Sequence, residues 1–231
     1  MRGPLPLHMQ ISEMLIRNIG AGLLADGTRL PPEREMAAEL QIAVGTLRRA
    51  LQDLTDKGLL ERVQGSGNYV RARADALGVY AFFRLEHVDG GGLPTAGILS
   101  VDTLPKPECL PDFGRSTTAH RIRRLRLIDG TAAALEQIWL DGNRAKSPNA
   151  DAFSESLYLH YEQTLGFTIA RAEDRISFGP TPDWAPNAFG VPTGGTAGYI
   201  ERMAWANDGE SVEFSQTWFD KDVARYVTRF R

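Results

Sequence analysis

Apolar side chains recur at helical spacing near the start of the chain. Leu7, Ile11, Met14, Leu15 and Ile19 are three or four residues apart and predict an amphipathic first helix. Two glycines follow within three residues, so the helix is expected to end close to residue 20.

Two further helices are predicted after a pair of prolines. Pro31-Pro32 favours an extended entry to a short second helix that begins at Glu33. A third helix is expected from just after Ala43 to about Lys57, where Gly58 can adopt the left-handed conformation that often ends helices. Its inward stripe is Leu47, Leu51 and Leu54. The side chains turned away from that stripe are Gly45, Arg48, Arg49 and Gln52.

A glycine-rich hairpin is predicted after the third helix. Residues 59–64 and 68–71 have the composition of two strands, and Gly65-Ser66-Gly67 joins them. The order helix, helix, short turn, helix and β-hairpin predicts a winged helix-turn-helix. In that fold a helix enters the major groove while the hairpin reaches a neighbouring groove. A solvated helix face and a simple turn are the plainer alternatives, so the order and spacing of the parts are what indicate DNA binding.

Beyond a short polar segment at 71–75, strand-like runs replace the helical pattern. These runs cover 79–85, 97–104, 121–128, 133–141, 168–178, 197–206 and 211–219. A helical pattern covers 155–165, and a short helix is expected at 184–189 between proline-rich turns. We therefore predict an α+β fold, with a DNA-binding domain at 1–73 and an antiparallel-sheet domain at 74–231.

Charge restricts how the chain could bind nucleic acid. The formal net charge of the 231 residues is −3. Residues 1–75 hold ten of the 26 Lys and Arg and nine of the 29 Asp and Glu, which leaves sixteen against twenty for the rest. Any affinity for DNA must therefore depend on locally placed arginines rather than on a general basic field.

Several other functional classes lack their sequence signals. The single cysteine, Cys109, has no partner in the chain, and no run approaches the roughly 20 apolar residues of a membrane span. The four histidines lack metal-ligand spacing, and no serine or cysteine lies in a recognisable nucleophile motif. We therefore expect a cytoplasmic protein without a membrane segment, a metal, a cofactor or catalytic residues.

Strand alternation brings charged side chains of the second domain together. Arg124 and Arg126 are two residues apart and should point to the same face. In the last long strand, Glu213, Ser215, Thr217 and Phe219 should likewise share a face. Paired arginines suit a carboxylate or phosphate group of a ligand. The alternative is an exposed sheet face on which Glu136 and Glu213 simply neutralise the arginines.

The first domain closely resembles the DNA-binding domain of the GntR family of bacterial regulators. The segments that carry the resemblance are PLPLHMQI, LPPEREMAAEL and GTLRRALQDLTDKGLLERVQGSGNYV, and the match is nearly continuous from Leu5 to Val70. The resemblance implies that the DNA-contacting residues are Arg34, Thr46, Arg48 and Gly65.

One departure from the family pattern concerns a DNA-reading arginine. The family commonly has Ser-Arg where this chain has Ala43-Val44. We hypothesise that Arg49, next to Arg48, supplies part of the missing contact, which adds Arg49 to the candidate DNA-binding residues.

The second domain resembles the UTRA ligand-binding domain of HutC-type GntR regulators. The segments RIRRLRL, ALEQIWL, SLYLHY and GESVEFSQTWF carry this resemblance over roughly Gly97 to Phe219. It implies a chorismate lyase-like fold without the activity of that enzyme. The implied effector-binding residues are Arg124, Arg126, Glu136, Ser156, Tyr158, Glu213 and Phe219. Family members that bind amino-sugar phosphates tend to have tyrosine where this chain has Phe219.

Together these features predict a ligand-responsive transcription regulator, a repressor, that acts as a homodimer. Its partners are double-stranded operator DNA and a small, anionic effector. Two alternatives stay open at this point. The second domain could be an enzyme that uses Glu136 or Glu213 as an acid or base on a small anionic substrate. It could also serve only to dimerise a DNA-binding protein.

Overall fold

The computed structural model describes residues 6–72, 82, 84–146 and 157–229. These residues form two compact units; the second consists of Leu85–Arg225, and the first consists of the described residues before and after that range. Among them, no helix is both long and apolar enough to cross a membrane.

The first unit is the predicted winged helix-turn-helix. Its elements are α1 (Leu7–Gly20), α2 (Glu33–Glu39), α3 (Val44–Asp56), β1 (Leu60–Val63) and β2 (Gly67–Val70). The buried side chains of α1 and α3 supply most of its core, and they include Leu15, Ile16, Ile19, Leu47 and Leu54. Leu7 is an exception to the predicted stripe, because it is the first residue of α1 and is 43% exposed.

Local backbone geometry fixes how α3 leads into the wing, which consists of β1, β2 and their turn. Gly58 has a φ of +71°, and the Leu59 N–H donates to the Leu54 carbonyl, so the chain reverses directly after α3. The Val70 N–H then donates to the Thr28 carbonyl, and the Leu30 N–H donates to the Asn68 carbonyl. The segment before α2 thus pairs with β2 and holds the wing on the helices.

The second unit is an antiparallel sheet with a short helical segment, as predicted. Its strands are β3 (Leu85–His87), β4 (Pro94–Pro105), β5 (Thr118–Ile128), β6 (Thr131–Asp141), β7 (Ile169–Pro180), β8 (Thr196–Ala206), β9 (Ser211–Phe219) and β10 (Ala224–Tyr226). Six of them form one sheet in the order β4-β5-β6-β9-β8-β7, and β3 pairs with β10. Between β6 and β7, α4 (Leu157–His160) continues into a π-helical turn at Tyr161–Leu165.

The register of the sheet determines which side chains share a face. Arg124 of β5 is opposite Glu136 of β6, and Glu136 is opposite Thr217 of β9. On the other side of β9, Ser215 is opposite Arg202 of β8. Side chains from four strands therefore converge on one face, which we call the polar face.

The helix predicted at 184–189 is wrong, since this segment forms two turns. The Ala185 N–H donates to the Pro182 carbonyl, and the Phe189 N–H donates to the Pro186 carbonyl. Pro186 has no N–H to continue a helix, and it disfavours helical geometry at the residue before it. The predicted strand at 79–85 lies largely outside the described residues, and β3 begins at Leu85.

A close approach between β8 and β9 requires a glycine. Gly198 is opposite Phe219, and a Cβ at Gly198 would lie only 2.2 Å from Cζ of the Phe219 ring. Phe219 itself is buried, so its ring has little freedom to move aside.

We predict that Gly198→Ala lowers the free energy of unfolding by about 1–3 kcal/mol, because the new methyl group overpacks against a buried ring. Chemical denaturation of the purified chain measures this change. Gly97→Ala in β4 is the matched control, since no heavy atom lies within 4 Å of its Cβ position, and it should change stability by less than about 0.5 kcal/mol. Equal effects of the two substitutions would show that the approach to Phe219 imposes no constraint.

Candidate DNA interface and effector site

The outward side of α3 carries the residues that the sequence predicts there. Gly45, Arg48, Arg49 and Gln52 are exposed, whereas Leu47 is buried. Thr46 is half-buried in the first turn of the same helix, and Arg34 is exposed near the start of α2. Neither Arg34 nor Arg49 forms an ion pair with another described residue.

The turn of the wing depends on its two glycines. Gly65 and Gly67 have φ angles of +76° and +135°, in the region that favours glycine. The Ser66 N–H donates to the Val63 carbonyl, and the Ser66 hydroxyl lies 2.7 Å from the Tyr69 hydroxyl. The tip is therefore a defined turn that presents its backbone outward from the strands.

An ion-pair cluster links the wing to α2 and α3. The Glu33 carboxylate accepts from Arg48 Nε at 2.6 Å and from Arg62 Nη2 at 3.2 Å. The three residues belong to α2, α3 and β1. Sequence reasoning missed Glu33 and Arg62 as functional candidates, because contacts 15 and 29 residues apart follow from packing rather than from local spacing.

On the polar face, both predicted arginines bind one glutamate. Arg124 Nε lies 2.6 Å from Glu136 Oε2, and Arg126 Nε lies 3.1 Å from Glu136 Oε1. Burial alone would raise the pKa of Glu136, but the two arginines outweigh it and lower the pKa from 4.5 to about 2. Glu136 is therefore a carboxylate at any physiological pH, and it orients two guanidinium groups.

A second buried carboxylate accepts two tyrosine hydroxyls. Glu213 receives a hydrogen bond of 3.0 Å from Tyr158 and one of 2.6 Å from Tyr161. Burial raises the pKa of Glu213 although both hydroxyls favour its charged form. Burial and the neighbouring Glu213 raise the pKa values of both tyrosines, so the phenols stay protonated and continue to donate.

Arg202 and Asp174 form a third polar group on this face. Two hydrogen bonds of 2.5 Å and 2.6 Å join the Arg202 guanidinium to the Asp174 carboxylate. Burial alone would lower the pKa of Arg202, but Asp174 and the nearby Tyr158 raise it. Sequence reasoning missed Arg202, Asp174 and Tyr161. The alternation of β8 places Arg202 correctly, but only the order of β7, β8 and β9 reveals its neighbours.

The remaining predicted effector residues are Phe219 and Ser156. The Phe219 ring lies against Gly198 on the polar face and has no hydroxyl to offer a ligand. Ser156 lies outside the described residues.

The opposite face of the sheet has a different character. A cavity of about 470 Å³ there is lined by Cys109, Leu110, Pro111, Glu173, Arg175, Glu201, Met203, Trp205 and Phe214. It holds one arginine and two glutamates, and Arg175 Nη2 lies 3.2 Å from Glu173 Oε1. The polar face instead holds three arginines and three carboxylates, namely Arg124, Arg126, Arg202, Glu136, Asp174 and Glu213. It is the stronger candidate for a site that recognises a charged ligand.

Comparison with known proteins gives a consistent family assignment. Residues 7–70 match the bacterial regulatory proteins of the gntR family, and residues 90–225 match the UTRA domain. The chain is 56% identical over 229 residues to the HTH-type transcriptional regulator SmoD of Agrobacterium fabrum, covering 99% of this chain and 98% of that protein. It is 37% identical over 211 residues to a histidine utilization repressor of Pseudomonas putida, covering 91% and 71% of the two chains.

A solved structure supports the fold. The structure of YydK from Bacillus subtilis covers 98% of this chain with a TM-score of 0.54 and 19% sequence identity, and all of that chain is matched. The winged unit, the six-stranded sheet and these similarities agree with one another. The chain therefore belongs to the GntR family of bacterial transcription regulators, in the HutC-like group that joins a DNA-binding winged helix-turn-helix to a UTRA domain.

Proposed function

We propose that this chain is a homodimeric repressor whose affinity for operator DNA changes when a small anionic metabolite binds to the polar face. The observation that carries the proposal is the buried ionic cluster of Arg124, Arg126, Glu136 and Glu213. The same chain has exposed arginines on α3 of its winged helix-turn-helix. Repression as the sense of regulation is supported by relatives whose names describe them as repressors.

The proposed DNA-binding residues are Arg34, Thr46, Arg48, Arg49 and Gly65. Exposed arginines on α3 can reach base edges and phosphates, while the backbone of the wing turn can approach the DNA closely at Gly65. Arg49 is exposed and has no ion pair with another described residue, which suits a side chain that makes its main contact with DNA.

The proposed effector-binding residues are Arg124, Arg126, Glu136, Ser156, Tyr158, Glu213 and Phe219. An anionic ligand is favoured because the polar face offers the guanidinium groups of three arginines, which are planar donors suited to carboxylate or phosphate groups. Ser215 and Thr217 share this face and add hydroxyl groups that can bind the polar parts of a ligand. Phe219 disfavours a ligand that needs a tyrosine hydroxyl at this position.

The proposed dimer forms through β7, an edge strand of the sheet. Ile176 and Phe178 are 53% and 75% exposed on this strand, and no charged residue follows Arg175 in it. The other edge, β4, has a bulge between Ile98 and Ser100 that hinders strand pairing, whereas the register shift of β7 lies at its start, between Ile169 and Arg171, away from Ile176 and Phe178. Antiparallel pairing about a two-fold axis at Ser177 would set Ile176 opposite the partner's Phe178, and Phe178 opposite the partner's Ile176.

We also infer that the chain acts in the cytoplasm, where operator DNA is found, and that it binds its metabolite without converting it. The family supports this inference, since the relatives are named as transcription regulators, and the low pKa of Glu136 makes this residue unsuited to act as a general acid.

We predict that the protein prefers a duplex from its own upstream region over a random duplex, and that Arg49→Ala weakens this binding. Loss of one phosphate contact should lower the magnitude of the slope of log K against log salt by about one unit. Fluorescence anisotropy at several salt concentrations measures both quantities. Lys57→Ala, at the C-terminal end of α3, removes the same charge and should have little effect. Parental affinity of Arg49→Ala at physiological salt would exclude the proposed contact.

We predict that an anionic metabolite stabilises the protein by about 2.7 kcal/mol when present at 100 times its dissociation constant. A thermal shift screen of phosphorylated and carboxylated metabolites detects this effect. Arg126→Gln should abolish the shift. Arg121→Gln should retain it, because Arg121 lies on the opposite face of β5 and pairs with Asp102. If no anionic metabolite stabilises the parent chain, the result favours the alternative in which the second domain serves only for dimerisation.

We predict that Phe178→Asp converts the dimer to a monomer, because two carboxylates would be buried at the paired edges. Light scattering after size-exclusion chromatography measures the mass. Leu99→Asp makes the same change at the 43% exposed Leu99 of the opposite edge strand and should leave the dimer intact. A Phe178→Asp protein that keeps the parental mass would rule out this interface.

A further inference from the structure

We propose that Glu33 is a positioning residue for operator recognition, and that it holds Arg48 and Arg62 together as one DNA-binding pair. The inference rests on the DNA-binding function and extends it to two residues that carry no assigned role. Arg62 of the wing becomes a DNA-contacting residue, and Glu33 acts through the two arginines rather than on the DNA.

The geometry of the cluster supports a positioning role. Each arginine uses a different carboxylate oxygen, since Arg48 Nε contacts Oε2 at 2.6 Å and Arg62 Nη2 contacts Oε1 at 3.2 Å. One carboxylate thereby holds a side chain of α3 and a side chain of the wing in fixed positions relative to each other.

Burial within the cluster is asymmetric. The Glu33 side chain is only 17% exposed, whereas both arginine side chains are 62% exposed. The carboxylate therefore lies beneath the guanidinium groups, which remain accessible to a partner. Such an arrangement differs from a surface ion pair in which both members are equally solvated.

The electrostatic consequence depends on the kind of DNA. Without Glu33, two like charges would repel, and each long side chain would occupy many rotamers. With Glu33, the two arginines are ordered, but the net charge of the three-residue cluster is +1 instead of the +2 of the arginines alone. Random duplex is bound mainly through net charge, whereas an operator also requires donors at defined positions. Glu33 should therefore favour operator over random duplex.

Glu35 provides a matched comparison. It lies in the same first turn of α2 and is exposed, and it forms no ion pair with any other residue that the structure describes. Glu35→Gln removes the same charge at nearly the same place, so it reports the general electrostatic effect without disturbing the arginine pair.

The test compares Glu33→Gln and Glu35→Gln with the parent chain. Dissociation constants are measured for a duplex from the chain's own upstream region and for a random duplex, across a range of salt concentrations. Glu33→Gln should lower the ratio of operator affinity to random-duplex affinity by on the order of tenfold, without weakening random-duplex binding. Glu35→Gln should change both affinities together and keep the ratio within about twofold.

Arg62→Gln provides a second and independent test. It should also lower the preference for operator over random duplex. Adding Glu33→Gln to Arg62→Gln should lower this preference by a smaller factor than Glu33→Gln does in the parent chain. This variant leaves α2 and α3 unchanged, so it decides the question if Glu33→Gln does not fold.

Three results would overturn the inference. The first is a folded Glu33→Gln protein with the same ratio of operator to random-duplex affinity as the parent chain. The second is a loss of operator preference in Glu35→Gln as large as that in Glu33→Gln. The third is an Arg62→Gln protein that binds operator as tightly and as selectively as the parent chain. A parent chain that shows no preference for its upstream region would instead contradict the DNA-binding function itself, so the two failures are distinguishable.

Discussion

The pairing of Glu136 with Arg124 and Arg126 is the constraint on which the second domain depends. A buried charge is tolerated only when it is paired, and here one carboxylate between two arginines satisfies this requirement at 2.6 Å and 3.1 Å. The pairing lies in the central strands β5 and β6, and the adjacent β9 carries Glu213 with its two tyrosine donors. The pKa of Glu136 is about 2 in the folded state and 4.5 when unperturbed. Its ionisation therefore contributes fully to the free energy of unfolding above about pH 4.5, and this contribution is lost as the pH falls towards 2.

Side-chain alternation made much of this site predictable from the sequence. Arg124 and Arg126 do share a face, because a regular strand places every second side chain on the same side. The helices of the first domain were equally predictable, since apolar spacing and Gly58 define α3 almost to the residue. Leu7 is exposed, contrary to prediction, because it lies at the terminus of α1. The segment 184–189 forms turns instead of the predicted helix because of the geometry that Pro186 imposes.

Contacts between distant elements could not be predicted in this way. Arg202 meets Asp174 because β7 pairs with β8, and Tyr161 reaches Glu213 from a π-helical turn that no sequence pattern indicates. The same limit applies to Glu33, which sequence reasoning treated only as part of the start of a helix. Its contacts with Arg48 and Arg62 require the packed arrangement of α2, α3 and β1. Local periodicity therefore identifies faces, whereas strand order and helix packing decide which charges meet.

The anionic effector that we propose would meet a polar face whose charges are balanced. Three arginines and three carboxylates leave no large excess of either sign, so an added anion must compete with Glu136, Asp174 or Glu213 for its donors. Burial raises the pKa of Glu213, whereas the two arginines lower the pKa of Glu136. A tenfold change in operator affinity requires only about 1.4 kcal/mol of coupling, and rearrangement of one buried hydrogen-bonded carboxylate is of that magnitude.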